Sequence, residues 1–132
     1  MWDVKQTEEF QLWFEDLDAA AKEDIFASVR VLSEIGPSLG RPRVDTIKLS
    51  RHKNMKELRV QSRGRPFRIM FAFDPSRSAI LLIGGNKQGN KRFYELIISL
   101  AYRLYDRYLR ISFKLKKKHR SIPNSFPQPE KL

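Results

Sequence analysis

Phe10, Trp13, Phe14 and Leu17 recur at i, i+3, i+4 and i+7, which puts four large apolar side chains on one helix face. Thr7 precedes them as a candidate N-cap. Glu8 and Glu9 fall in the first turn, where the helix dipole favours carboxylates. Asp18 is the next cap candidate. Ile25, Val29 and Leu32, with Phe26 beside them, give a second helix its buried stripe. Gly36-Pro37 closes that helix, Gly as the left-handed residue past its end and Pro as a stop. The connection between the two stripes is very short, so the spacing predicts an antiparallel helix hairpin. Ahead of it, Trp2-Asp3-Val4-Lys5 suits a short first strand.

Residues 37–54 read as an extended loop in which Ile47 and Leu49 suit a minor strand. The period then becomes 2. Leu58 and Val60 face one way while Glu57, Arg59 and Gln61 face the other. Ser62-Arg63-Gly64-Arg65 is a hairpin turn. The run Phe67 to Phe73 is apolar on both faces at its centre, as an interior strand requires. Asp74-Pro75-Ser76-Arg77 turns the chain into a third strand, Ala79 to Ile83, ended by Gly84-Gly85. Strands joined by such short turns form an antiparallel meander. Helical spacing returns at Tyr94, Ile97, Ile98, Ala101, Leu104, Tyr105 and Tyr108.

After Phe113 the composition changes to Lys114-Leu115-Lys116-Lys117-Lys118-His119-Arg120, and Pro123, Pro127 and Pro129 oppose a continuing helix. The expectation is a two-layer α+β domain over residues 1–112. In it an N-terminal helix hairpin packs on an antiparallel sheet with a C-terminal helix after it. A basic, proline-containing, disordered tail over 113–132 follows.

Composition narrows the function. A chain of 132 residues with 41% hydrophobic and 31% charged content carries one core of foldable size. It has no cysteine, which excludes disulfides and thiolate metal sites; no metal-ligand spacing or phosphate-binding glycine loop is present, and no cofactor is expected. The longest apolar runs, Ile69 to Phe73 and Ala79 to Ile83, fall far short of the roughly 20 residues that span a bilayer. Met1-Trp2-Asp3-Val4 lacks a signal-peptide profile, so a cytoplasmic location away from membranes is expected.

The net charge of +11 is segregated. Residues 1–34 carry 3 Lys/Arg and 9 Asp/Glu, residues 35–112 carry 17 and 5, and residues 113–132 carry 6 and 1. An acidic first quarter before a strongly basic remainder points to a polyanionic partner for the latter.

Within the basic part, Arg68 alternates with Phe67 and Ile69 and so lies on the opposite sheet face, which Arg59 shares across the hairpin. Lys56 and Lys87 sit at strand ends. Such a set can hold a phosphate and stabilise charge developing on it, Arg by a planar fork to two oxygens. Tyr94, at the start of the last helix, suits either core packing or stacking on a base. His52, in the loop Ser50-Arg51-His52-Lys53-Asn54, reads most simply as solvated; the functional alternative is a general base. Lys48, Arg51, Lys53, Lys56, Arg65, Lys91 and Arg92 complete the candidate RNA-binding set. For Arg65, as for Arg63 and Arg77, a turn position also suits a solvated residue.

At these residues the chain resembles the phage-derived Gp49-like, or HigB-like, branch of the RelE/ParE toxin superfamily. The matching segments are Phe10 to Phe14 (FQLWF), Gly36 to Pro42 (GPSLGRP), Asn54 to Arg59 (NMKELR), Arg68 to Pro75 (RIMFAFDP), Leu81 to Lys87 (LLIGGNK), Phe93-Tyr94-Glu95 and Leu104-Tyr105. They run in the family's order over residues 2–110. The resemblance implies a helix hairpin on an antiparallel sheet with a C-terminal helix. It also implies a metal-independent endoribonuclease that cuts mRNA in the ribosomal A site by attack of the 2′-OH on the adjacent phosphate.

Carried over by position, the resemblance puts Arg68 on the phosphate as transition-state stabiliser. Arg59 and Lys87 come near the scissile group as stabiliser or proton donor, Tyr94 on the base or phosphate, and His52 becomes a possible base. The implied partners are a cognate helix-turn-helix antitoxin of HigA type, in a toxin–antitoxin hetero-oligomer, together with mRNA and the ribosome. Asn86 stands where the family pattern has Asp before Lys, and the segment after Arg110 departs from it too. The alternatives within the fold are a ParE-type DNA gyrase inhibitor and a noncatalytic ribosome- or RNA-binding relative.

Overall fold

The computed structural model describes residues 1–48, 50–117 and 125–126. In chain order the elements are β1 (Asp3–Gln6), α1 (Glu8–Glu15), α2 (Ala19–Ile35) and a 3₁₀ turn (Gly36–Ser38). Then come β2 (Val44–Thr46), β3 (Met55–Ser62), β4 (Arg65–Asp74), β5 (Ser78–Asn86) and α3 (Phe93–Lys117). The strands form one sheet in the order β1-β5-β4-β3-β2. Strands β3 to β5 are antiparallel neighbours as expected, and β2 pairs antiparallel with β3. β1 pairs parallel to β5, so the sheet is mixed at that edge.

The local signals act as the sequence predicts. The Thr7 hydroxyl accepts from the Phe10 amide at 3.0 Å, and Asp18 accepts from the Ala21 amide at 3.0 Å. Gly36 takes φ +73 at the end of α2. An L side chain there would meet both a disfavoured backbone and the indole of Trp2. The β3–β4 turn places Arg63 (φ 51) and Gly64 (φ 77) in the left-handed region, the geometry that matches the twist of a two-residue hairpin.

The expected two layers are three. Along β4, Phe67, Ile69, Phe71 and Phe73 pack with Phe10, Ile25, Val29 and Leu32 of the helix hairpin. The alternate residues Met70 and Ala72 pack with Phe93, Ile97, Ala101, Leu104, Tyr105 and Tyr108 of α3. The sheet is therefore buried on both faces, which is why β4 and β5 are apolar on both faces at their centres rather than alternating. Each fully buried aliphatic or aromatic side chain contributes about 1.5–3 kcal/mol of transfer free energy, so both faces matter to stability.

Other boundaries also moved. The minor strand is Val44–Thr46; Ile47 is buried beyond its end, and Leu49 lies outside the described residues. Gly84 and Gly85 do not end β5 but continue it to Asn86. They are glycines because the Trp13 indole lies over one and Phe93 over the other, filling the space a Cβ would need.

The last helix continues past the expected boundary at 112 to Lys117. Within the expected tail, Ser125 bridges antiparallel to Lys5, and Phe126 is buried to 1% exposure in the core. The remaining positions of that tail, 118–124 and 127–132, lie outside the described residues.

Candidate active site

Strand pairing sets Arg59 directly opposite Arg68. Like charges at such a position repel, so the pair stands only where anions or acceptors compensate it. Two carboxylates do so. Arg59 Nε donates to Glu57 Oε1 at 2.8 Å, and its terminal NH2 donates to Asp45 Oδ2 at 3.1 Å. Arg68, 8% exposed, donates from NH1 to the Phe67 carbonyl at 3.0 Å and from Nε to the Tyr94 phenol at 3.3 Å. The Tyr94 phenol in turn donates to Glu57 Oε1 at 3.3 Å. Arg68, Tyr94, Glu57 and Arg59 thus form one chain of hydrogen bonds across β3, β4 and the first turn of α3.

This chain borders a cleft of about 410 Å³ between β2, β3 and α3, lined by Asp45, Lys48, Glu57, Arg59, Lys87 and Tyr94 among others. Lys87 Nζ lies 5.5 Å from the Tyr94 ring centroid, a cation–π contact at the rim. The Glu57 hydrogen bond is the main reason Arg59 holds its proton even more firmly than usual. Burial pushes the Tyr94 phenol above its ordinary value, opposed by the Arg68 hydrogen bond, so it stays a neutral donor at physiological pH. A second carboxylate link converges on Asp45, which accepts from Arg41 at 3.1 Å as well as from Arg59. The cleft presents cations to a ligand while its own carboxylates hold part of that charge in reserve.

The structure brings together Arg59, Arg68, Lys87, Tyr94 and Lys48. It buries Arg68 beyond the lining of the cleft, whereas the resemblance implied that residue on the phosphate. The other candidates sit elsewhere. Lys56 points to the opposite sheet face, 5.9 Å from the Phe73 ring. Arg65 is on that face too, paired with Asp18 at 3.0 Å at the start of α2 and set over Phe67. Lys91 and Arg92 are exposed in the turn before α3, where Arg92 pairs with Glu95 at 3.1 Å. Lys53 is exposed in the loop before β3.

His52 is held by α3 rather than by the cleft. Its Nε2 lies 3.0 Å from Asp106 Oδ1, and its ring meets Tyr102 and Tyr105 edge-on. Arg51 joins the same cluster through Asp106 and the Tyr102 ring. Tyr102 is eight residues beyond Tyr94, about 12 Å along the helix, which separates this cluster from the cleft.

Glu57 and Asp45 are the site residues the sequence reading missed. The signal for Glu57 was present: it shares a strand face with Arg59, two residues away, on a strand whose other face is apolar. Asp45 carried no such pattern, since a loop-flanked three-residue strand sets its position. Among the described residues no cluster of His, Cys, Asp or Glu is arranged to hold a metal. No described helix is long and apolar enough to cross a membrane.

Comparison with known proteins places the chain in a family. Residues 12–106 match the family described as phage derived protein Gp49-like, and the chain belongs to that family. It is 48% identical over 104 residues to the Mycobacterium tuberculosis protein named "Putative toxin HigB2", covering 77% of this chain and 52% of that one. It is 48% identical over 90 residues to "Putative toxin HigB3" of the same organism, covering 67% and 77%. The chain thus spans about half the length of the first relative and about three quarters of the second. Among solved structures, the isolated E. coli RelE toxin is similar at 10% identity and TM-score 0.48, over 74% of this chain and 96% of that one.

Proposed function

We propose that the chain is the toxin of a type II toxin–antitoxin pair and a metal-independent endoribonuclease that cuts mRNA in the ribosomal A site. Membership of the Gp49-like family and the toxin names of its relatives support the first part. One observation carries the second: Arg59 and Lys87 converge on a cleft with Tyr94 at its wall and a carboxylate, Glu57, within hydrogen-bond reach of both Arg59 and Tyr94.

In this reading the scissile phosphate enters beside Arg59, whose fork replaces Asp45 with phosphate oxygens. Glu57 takes the proton of the 2′-OH, the 2′ oxygen attacks phosphorus, and the bond to the 5′ oxygen breaks. Lys87 donates a proton to that leaving oxygen, giving a 2′,3′-cyclic phosphate and a 5′-OH. Arg59 offsets the charge gained by the phosphorane as it forms. Tyr94 stacks on a base, and Arg68 is a positioning residue that holds the Tyr94 phenol from beneath. The cognate partner is an antitoxin of helix-turn-helix type.

The test is primer extension on a defined mRNA in a purified translation system, with and without ribosomes. Cuts within A-site codons that need ribosomes, and that vanish in Arg59→Gln and Lys87→Ala variants of native fold, are expected. Intact mRNA from a folded wild-type chain, with DNA supercoiling inhibited instead, overturns the nuclease reading in favour of a gyrase inhibitor.

A further inference from the structure

Two cation–aromatic pairs sit on α3, and the cleft uses one of them. Lys87 caps Tyr94 at the cleft rim, 5.5 Å from the ring centroid. Arg51 caps Tyr102, its guanidinium 4.6 Å from that ring centroid. Ile98, which lines the cleft, falls midway between the two tyrosines, so residues 94, 98 and 102 follow one side of the helix at i, i+4 and i+8. All three are half-buried, at the margin between the core and solvent. The other wall leads the same way. Lys48 lines the cleft, and Arg51 follows it three residues later in the sequence. Both the helix and the loop that wall the cleft therefore continue to Tyr102 and Arg51.

Three contacts fix Arg51. Its guanidinium pairs with Asp106, the Tyr102 ring backs it, and its backbone amide donates to the Tyr102 hydroxyl at 3.2 Å. The side chain is nonetheless 55% exposed. A planar guanidinium set in place beforehand and still open to solvent is a stacking platform that loses little freedom when a ligand arrives. The pairing also decides the ligand. Asp106 balances the charge of Arg51 and is itself 36% exposed, so a phosphate arriving here meets a carboxylate along with the guanidinium. An uncharged planar ring meets no such repulsion, and unstacked nucleobases stack on arginine planes.

We propose that Arg51, backed by Tyr102, is a second base-stacking subsite for single-stranded RNA, beyond the base at Tyr94. This rests on the cleft being the RNA site proposed above. Tyr94 and Tyr102 are eight residues apart, about 12 Å along the helix. A fully stacked strand covers that distance in about three and a half steps of about 3.4 Å each, and an extended strand in fewer. The subsite therefore takes a base about two to four nucleotides from the one on Tyr94. Asp106 and Tyr102 are positioning residues that hold the guanidinium. His52, with Nε2 3.0 Å from Asp106 Oδ1, holds the carboxylate in turn, which gives the histidine a place in RNA binding without a proton to transfer.

The experiment measures fluorescence anisotropy of fluorescein-labelled RNA hexamers with the full chain and its Arg51→Ala, Arg51→Lys and Lys87→Ala variants. Both Arg51 variants are expected to bind about fivefold or more weakly than wild type, the loss of one stacked base. Full affinity in Arg51→Lys makes the contact a charge on phosphate and overturns the stacking assignment. Hexamers with a single abasic position then separate a base contact from a general loosening of the loop. At one position the missing base is expected to cost wild type the same factor of about five and to cost Arg51→Lys nothing further. Losses that add to the Arg51→Lys loss at every position overturn the proposal. Binding that is weakened by Lys87→Ala but matches wild type in both Arg51 variants leaves the cleft as the RNA site and overturns the second subsite alone. A folded wild-type chain that binds none of the hexamers overturns both.

Discussion

Asp45 occupies the place that the proposed mechanism gives to a phosphate, so neutralising it should strengthen RNA binding. Its carboxylate accepts from Arg41 and Arg59, each at 3.1 Å, and its side chain is only 14% exposed at the cleft wall. Asn at this position keeps the volume and can still accept the Thr46 amide that Asp45 Oδ1 takes at 2.8 Å. What changes is one unit of negative charge between two guanidinium groups. For single-stranded RNA, each additional neutralised phosphate steepens the plot of log affinity against log salt by about 0.7. One extra contact therefore tightens binding about fivefold at 0.1 M salt relative to 1 M. Over the fourfold change from 50 to 200 mM the variant should lose roughly 2.6-fold more affinity than wild type. Fluorescence anisotropy of a short labelled RNA, titrated at four salt concentrations, measures both quantities. An unchanged slope and affinity in a folded Asp45→Asn protein would refute the idea that Asp45 competes with phosphate. A gain that persisted undiminished at 1 M salt would trace it to altered shape instead of charge.

Three further outcomes follow from other contacts. Gly84→Ala drives a Cβ into the Trp13 indole and should cost about 1–3 kcal/mol in urea unfolding, while an unaltered midpoint would mean the α1–sheet spacing is looser than described. Tyr94→Phe keeps the ring and the Lys87 contact but removes the hydroxyl that bridges Arg68 and Glu57. It should cost about 1 kcal/mol of stability and reduce cleavage more than RNA affinity. Burial pushes the phenols of Tyr105 and Tyr108 above their ordinary value, and for Tyr108 the Asp74 carboxylate adds to the effect. The folded state then holds their protons more tightly, so their contribution is complete below about pH 10 and is lost as pH rises above it, for Tyr108 by up to about 1.4 kcal/mol per pH unit. Tyr108→Phe should remove one such share from the alkaline limb of a stability–pH curve, and an unchanged limb would contradict the assignment.

The elements legible in the sequence were those fixed by neighbours in the chain. The caps Thr7 and Asp18, the Gly36 terminus and the 63–64 turn each depend on a few adjacent residues, and each acted as read. The alternation in β3 and β4 likewise gave Arg59 and Arg68 a common face, because side-chain direction in a strand is a matter of parity. The same parity put Glu57 beside Arg59, as read, and it also turns Lys56 to the opposite face; grouping Lys56 with Arg59 followed proximity in sequence instead.

The rest depended on contacts that no local pattern encodes. β4 is apolar on both faces, which states that both are covered but not by which helices; only the packed chain puts α3 opposite the hairpin. His52 lies in a loop whose position is fixed by Asp106, 54 residues later, so its separation from the cleft could not be read from its neighbours. Gly84-Gly85 resembled a strand end because glycine weakens strands, yet here each glycine answers an aromatic ring from a different element. Phe126 sits among prolines and lysines, a composition that signals disorder, but one aromatic ring suffices where an edge strand and three phenylalanines await it.

The acidic and basic halves of the chain acquire separate tasks from this arrangement. The hairpin carrying most of the acidic residues covers one face of the sheet, and the cleft with Arg59 and Lys87 opens on the other. Charge segregation along the chain thus becomes charge segregation across the sheet. That placement keeps the acidic hairpin from opposing a nucleic acid that approaches the cleft, since charges more than about 10 Å apart are largely screened at 0.1 M salt. The carboxylates that do reach the cleft, Asp45 and Glu57, are tied to the cation they moderate. The cleft can therefore fold with two arginines facing each other and still yield one of them to a stronger anion.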